Sequence, residues 1–294
     1  MNVLPQLFIN TLQIGAVYVL FALGLTLIFG VMRVINFAHG EFFSLAALVT
    51  AVFVSGLSAR FGFPIWIEYL LSFIGAVAVV VIVAILIYKV GFERYLRDMV
   101  AGFIISLGLV LLLQGLYLEI FGGLPRNVPT MIEGSVTILG ASLTIQRVII
   151  CGLSLVVTVV LFMFVKHTRL GMALRAMAED HEAAMLQGIA YRRIAFYGFC
   201  IGSLLAAIAG CLIAPLTVVV PTMGSGYLIK AFMIVIIGGL GSIPGAIIAS
   251  FIIALVESVG GYLWDLSTAT LIIFALVIVL LLFRPQGLLG HAEK

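Results

Sequence analysis

The chain has 294 residues, 64% of them hydrophobic and 9% charged, with a net charge of +3 and a mean hydropathy of +1.34. Soluble domains run nearer half apolar and a quarter charged, so a chain this apolar cannot cover its own surface with polar groups and is built for lipid. The charge is too small and too scattered to argue for nucleic acid, and the useful count is of membrane spans.

Apolar runs occur at about 7–31, 42–57, 64–88, 99–121, 147–165, 194–214, 227–240, 244–259 and 268–283. A crossing helix needs about 20 residues. Five runs are long enough or nearly so, whereas 42–57, 227–240, 244–259 and 268–283 are short. No Lys or Arg precedes the run 7–31, so it reads as a retained span and not as a secretory leader. The expected fold is an all-α polytopic membrane protein, a bundle of eight or nine transmembrane helices that includes broken or re-entrant elements. Residues 1–294 read as one transmembrane domain with a polar loop at 166–193.

The first interruption is "VINFAHGEFF", residues 34–43, which sets Asn36, His39 and Glu41 close together, with Ser44 just beyond. Two readings fit. The groups can lie at the interface, with Asn36 capping a helix and Glu41 near its positive end. Alternatively, they pack inside the bundle near a gate, His39 and Glu41 pairing with each other or with Arg33. No second carboxylate, nucleophile or ligand set accompanies them, so neither catalysis nor a metal site is expected.

The loop 89–98 is basic. The segment 122–146 has turn residues at both ends and a β-branched middle, "SVTIL", and predicts an ordered loop with a short hairpin. Cys151, Cys200 and Cys211 all sit in apolar runs, without metal spacing, and read as packing residues. Val80 reads as lipid-facing.

The most polar stretch, 166–198, predicts a helix from Leu170 to about Leu186. Met172, Ala176, Ala183 and Leu186 can share an apolar face, and Arg175 and Glu179 are spaced to pair. Asp180 can cap a second short helix and Gly188 can stop it. Small residues recur in "GAVYVLFALG" (15–24) and "AFYGFCIGSLLAAIAG" (195–210), as in helices that pack closely in lipid. Lys230 reads as a snorkelling side chain near the outer end of its segment. "GGLGSIPG" (238–245) lacks the ending of a phosphate loop. It reads as a tight turn in which Gly238, Gly239, Gly241, Ser242, Pro244 and Gly245 either shape the backbone or contact substrate. Glu257 is interfacial or lines an external mouth.

Ten of the fifteen basic residues fall in 89–98, 166–193 and the C-terminal tail, among them Arg97 and Lys294, whereas 122–146, 215–226 and 260–267 hold only Arg126. The excess of positive charge puts the first three on the cytoplasmic side. The side of the N-terminus depends on whether 42–57 crosses fully.

"EAAMLQG", Glu182 to Gly188, resembles the Glu-Ala-Ala-x-x-x-Gly signature of bacterial ABC importer permeases. "TRLGMALRAMAEDHEAAMLQGI", "VINFAHGEFF", "GGLGSIPGAIIASFIIALVES" and "FRPQGLLG" resemble, in order and over nearly the whole chain, the permeases of the branched-chain amino acid transporter family, shorter-subunit type. The resemblance implies a non-enzymatic permease of the bacterial inner membrane. It implies a second homologous permease, two cytoplasmic ATPase subunits that bind ATP and Mg, and a periplasmic binding protein. It assigns Arg169, Gly171, Arg175, Asp180, Glu182, Ala183, Ala184 and Gly188 to the loop that couples to the ATPase. This chain has no Gly-x-x-x-x-Gly-Lys-Ser/Thr and is expected to bind no cofactor itself. "FERYLRDMVAG" is compressed relative to the family pattern, and urea and short-amide importers share the other motifs, so the motifs leave the solute open. A passive solute channel is the rival that would need no docking loop.

Overall fold

A computed structural model describes residues 3–290 except 97 and 139; Arg97 and Lys294 of the basic tally lie outside the described residues. The elements are α1 (Val3–Met32), α2 (His39–Phe61), α3 (Ile65–Ile87), α4 (Met99–Phe121), β1 (Ser135–Ile138), β2 (Ala141–Thr144) and α5 (Ile145–His167). They continue with α6 (Arg169–Glu179), α7 (His181–Leu186), α8 (Tyr191–Ile213), α9 (Met223–Gly238), α10 (Ile243–Leu263) and α11 (Leu266–Phe283). A π-helical turn, Tyr88–Phe92, extends α3. Among the described residues, eight helices are long and apolar enough to cross a membrane, and α9, with 16 residues, is a ninth, shorter apolar helix.

The bundle is concentric. In its most apolar window α1 is 89% buried, against 17% for α4 and for α11. Thus α1 is the axis, α8 and α10 pack on it, and α3, α4, α5 and α11 form an outer layer with apolar side chains turned outward. On α3 that outward face is Ile74, Ile82 and Leu86. Val80 is not on it: it is fully enclosed, because the small residues Ala76 and Ala84 flank it on the stripe that α3 turns inward. Close approach at the axis depends on Gly24 and Gly202. A Cβ on either would sit 2.6 Å from the other's carbonyl oxygen, so the small-residue runs serve contacts within this chain.

The two ends of the bundle differ. At one end β1 and β2 pair antiparallel, Ser135 opposite Thr144, and Ile9 near the start of α1 packs with Ala141 and Leu143. Arg126 and Val219 exchange backbone hydrogen bonds at 2.9 Å beside the hairpin. The Arg126 guanidinium also donates to the Phe121 carbonyl, 2.6 Å, at the end of α4. At the opposite end lie α6 and α7, with Gly30 of α1 close to Ala178 and Gly241. Hence α1 runs from the hairpin end to the loop end. The run 42–57 belongs to a full 23-residue helix, and the N-terminal and C-terminal residues described lie at opposite ends.

Two segments re-enter the bundle. After Arg33, whose φ of 52° turns the chain back, residues 34–38 climb inside. There α2 begins at the depth of Phe21: His39 stacks on that ring (4.7 Å, 26°). Residues 214–222 enter from the hairpin end, and α9 starts beside Gly40. The runs 244–259 and 268–283 are not broken elements but parts of α10 and α11, helices of 21 and 18 residues.

Candidate functional site

The two re-entrant turns meet. Gly40 and Gly224 are in backbone contact, and a Cβ on Gly40 would lie 2.8 Å from the Gly224 carbonyl oxygen. The Gly224 amide donates to Ser44 Oγ at 2.8 Å, so a side chain of α2 takes up a first-turn donor of α9 that has no helical partner. The sequence did not single out Gly224; the signal was "PTMGSG", a proline and two glycines ahead of a run too short to cross.

Asn36, His39, Glu41 and Ser44 are all buried here. Asn36 Oδ1 accepts from the Ala38 amide at 3.1 Å, a local turn that aims the chain into α2. His39 Nε2 lies 3.1 Å from the Phe21 carbonyl. Glu41 Oε1 accepts from Gln114 Nε2 at 2.9 Å, Gln114 Nε2 also donates to Ser225 Oγ at 3.0 Å, and the Tyr117 hydroxyl donates to the Glu41 carbonyl at 3.1 Å. The expected pairing of His39 with Glu41, or of either with Arg33, is not what the structure holds. The Phe21 carbonyl and Gln114 take those positions instead, each giving a buried polar atom a hydrogen-bond partner. The cluster ties α2, α4 and α9 together through one carboxylate, one amide and one hydroxyl.

A second polar cluster lies elsewhere. Lys230 Nζ and Glu257 Oε1 are 2.5 Å apart. The Tyr18 hydroxyl donates to Glu257 Oε2 at 2.6 Å and accepts from Lys230 at 2.8 Å. Lys230 therefore does not snorkel to an outer interface. Its ammonium turns inward because a carboxylate on α10 and a phenol at the midpoint of α1 receive it. Glu257 is correspondingly not a free interfacial group.

"GGLGSIPG" joins neither cluster. It forms the turn at the loop end. Gly239 (φ 101°) and Gly241 (φ 81°) adopt left-handed conformations open to glycine. Ser242 Oγ accepts from the Gly245 amide at 3.2 Å as the N-cap of α10, with Pro244 in its first turn. A Cβ on Gly245 would overlap the Gly238 carbonyl. The "FRPQGLLG" segment closes the same turn: the Leu288 and Leu289 amides donate to the carbonyls of Ile237 (2.8 Å) and Gly238 (3.1 Å) at the end of α9.

The loop 166–193 folds as two short helices, the second beginning at the Asp180 cap. Thr168 caps α6 through the Gly171 amide, 3.0 Å. Asp180 Oδ1 accepts from the Glu182 and Ala183 amides, each at 3.0 Å, and Gly188 (φ 82°) ends α7. The buried residues are Gly171, Leu174, Met177 and Ala184. Met172 and Leu186, expected on the apolar face, are 48% and 87% exposed. The break at Asp180 resets the helical register, and packing beneath the bundle selects the other face. Arg175 does not pair with Glu179; its guanidinium donates to the Lys166 carbonyl at 3.3 Å, near the negative end of α5. Arg175, Glu182, Ala183 and Gly188 face outward, while Arg169 begins α6.

Residues 7–282 match the family described as the branched-chain amino acid transport system / permease component. The chain belongs to this family. The permease is 31% identical to the high-affinity branched-chain amino acid transport system permease protein LivH of Salmonella typhimurium, over 99% of this chain and 96% of that protein. It is 30% identical to the BraD permease protein of Pseudomonas aeruginosa over 98% and 96% of the two chains. A shorter match, 32% identical over 39% of this chain and 38% of the relative, is to the ribose import permease protein RbsC of Escherichia coli. No solved structure matches the permease.

Proposed function

We propose that this permease is a single transmembrane domain of an ATP-driven importer of branched-chain amino acids, in the bacterial inner membrane. A second homologous permease completes the pathway, a periplasmic binding protein delivers the solute, and two cytoplasmic ATPase subunits supply ATP and Mg; this chain binds no cofactor. The loop end, with α6, α7 and the C-terminal tail, faces the cytoplasm in accord with its basic residues, and the hairpin end and N-terminus face outward. The re-entrant cluster of Asn36, His39, Glu41 and Ser44 acts as the gate.

The observation that carries this reading is the outward surface of α6 and α7. It is capped at both ends, α6 packs directly beneath α1, α5 and α8, and α7 packs on α6. Short helices held in this way transmit motion from a soluble partner to the spans, which a passive channel would not need. Purification with co-encoded neighbours tests it. Recovery of a nucleotide-hydrolysing subunit, lost when Gly188 is changed to Trp, supports the importer. Recovery of the permease alone points to a channel.

A further inference from the structure

The cluster of Lys230, Glu257 and Tyr18 takes no part in closing the re-entrant turns or in the coupling surface. A buried ion pair is a weak source of stability, because desolvation of both charges opposes their attraction. Ionisable groups at membrane depth more often mark solute pathways than scaffolding. Two observations make this pair reachable. The Lys230 side chain keeps 17% of its surface exposed, against 8% for Glu257. Thr222 and Gly226 precede Lys230 at helical spacing on the same face of α9; both are exposed, and nothing stands within 4 Å of the space before Gly226. A strip of short side chains thus runs from the start of α9 to the ammonium.

We infer that Lys230 and Glu257 form an exchangeable site for the zwitterionic head of an α-amino acid. The solute carboxylate replaces Glu257 on Lys230, the solute ammonium replaces Lys230 on Glu257, and the internal pair re-forms after the solute has passed. No covalent bond changes, and the net charge of the site is the same throughout. The exchange removes the chief obstacle to moving a zwitterion through an apolar bundle, since each charge always has a partner. Tyr18 holds Glu257 Oε2 while Oε1 changes partner. Exposed Ile229 beside Lys230 offers a surface for an apolar solute side chain. A neutral amide such as urea brings no charges to exchange. This inference rests on the importer reading and names the solute chemistry of that importer.

The test uses the whole complex in proteoliposomes, with binding protein and nucleotide. K230M and E257Q should each lower leucine uptake by about tenfold or more, and the double variant K230M/E257Q should stay low. If the pair only pinned helices, the double variant would transport at the wild-type rate, since uncharged replacements of a buried pair are commonly tolerated; that result overturns the exchange. Thermal unfolding and recovery of the ATPase subunits check assembly of each variant. A second measurement leaves the pair intact. Gly226→Cys, in a chain cleared of native cysteines, is labelled with a small polar thiol reagent. Leucine should slow the labelling, and 4-methylpentanoate, which lacks the ammonium, should not; equal slowing, or none by leucine, overturns the site. A wild-type complex that takes up no amino acid refutes the importer and the exchange together, whereas wild-type uptake with an unimpaired double variant refutes the exchange alone.

Discussion

The Gly40 carbonyl lies directly against the α-carbon of Gly224, with no room for a methyl group between them. This contact brings the first turns of two helices, each starting inside the bundle, into register. It also gives a sharp test of how the turns are held. Gly224→Ala should destabilise the protein by about 1–3 kcal/mol through overpacking, seen as a lower unfolding temperature in detergent. Gly226→Ala, two residues on and facing open space, should be neutral. Equal effects at the two positions would contradict the close contact.

The coupling role proposed for the outward surface of α6 and α7 predicts a separation of folding from transport. Glu182→Arg changes an exposed side chain on α7 and should leave insertion and thermal stability intact while uptake is lost and ATP hydrolysis continues. Asp180→Ala removes the cap of α7, worth about 1 kcal/mol, and should weaken uptake through local fraying. Normal transport by the Glu182 variant would mean that the loop is a solvated tether.

His181, at the start of α7, gives a pH prediction. Burial holds its imidazole below the usual range, helped by the positive charge of Arg33 and opposed by the Met177 carbonyl and Asp180; its ring also meets Tyr191 edge-on at 4.5 Å. The folded loop therefore favours the neutral form, and the opened loop binds a proton more readily. The stabilisation is complete above about 6.5, the ordinary histidine value, and is lost as pH falls through that value towards the lower folded one. Hydrogen exchange of the α7 amides should accelerate over that interval in the native protein. The acceleration should vanish in His181→Gln; its persistence would assign it to another group.

Thiol labelling separates the two interruptions. Ser242 caps α10 at the loop end and is half-buried; Ser44 is enclosed and bound to Gly224. With Cys151, Cys200 and Cys211 replaced, Ser242→Cys should label at one rate in every nucleotide state. Ser44→Cys should label only when the α2 and α9 turns part, because alternating access moves one set of helices against another. Ile82→Cys, facing lipid, should stay unreactive, since the thiolate barely forms there. State-independent labelling at Ser44 would argue against a gate at that depth.

Local structure is the part most legible in the sequence. The hairpin at 135–144, the Asp180 cap and the Gly188 stop follow from side chains that satisfy nearby backbone. The long spans follow from their length. What failed was long-range. Lys230 and Glu257 sit on different helices, and nothing beside either residue reports the other, so Lys230 looked free to snorkel. The glycines of "GGLGSIPG" mark the end of the short run 227–240. The shortening comes from the turn before it, where Pro221 and Gly224 let α9 begin inside the bundle. Val80 looked outward because in an all-apolar helix the inward face is marked only by small neighbours such as Ala76 and Ala84.

The hydrogen bonds from Leu288 and Leu289 to the end of α9 have a consequence for the order of assembly. The last carbonyls of α9 wait for donors that the ribosome makes only after α10 and α11 have emerged. Until then α9 has an open inner end, and the turn at Gly238–Gly245 lacks the segment that closes it. The nascent protein thus carries an unfinished element at the membrane surface through the synthesis of two whole spans. Its completion waits for the amides of Leu288 and Leu289.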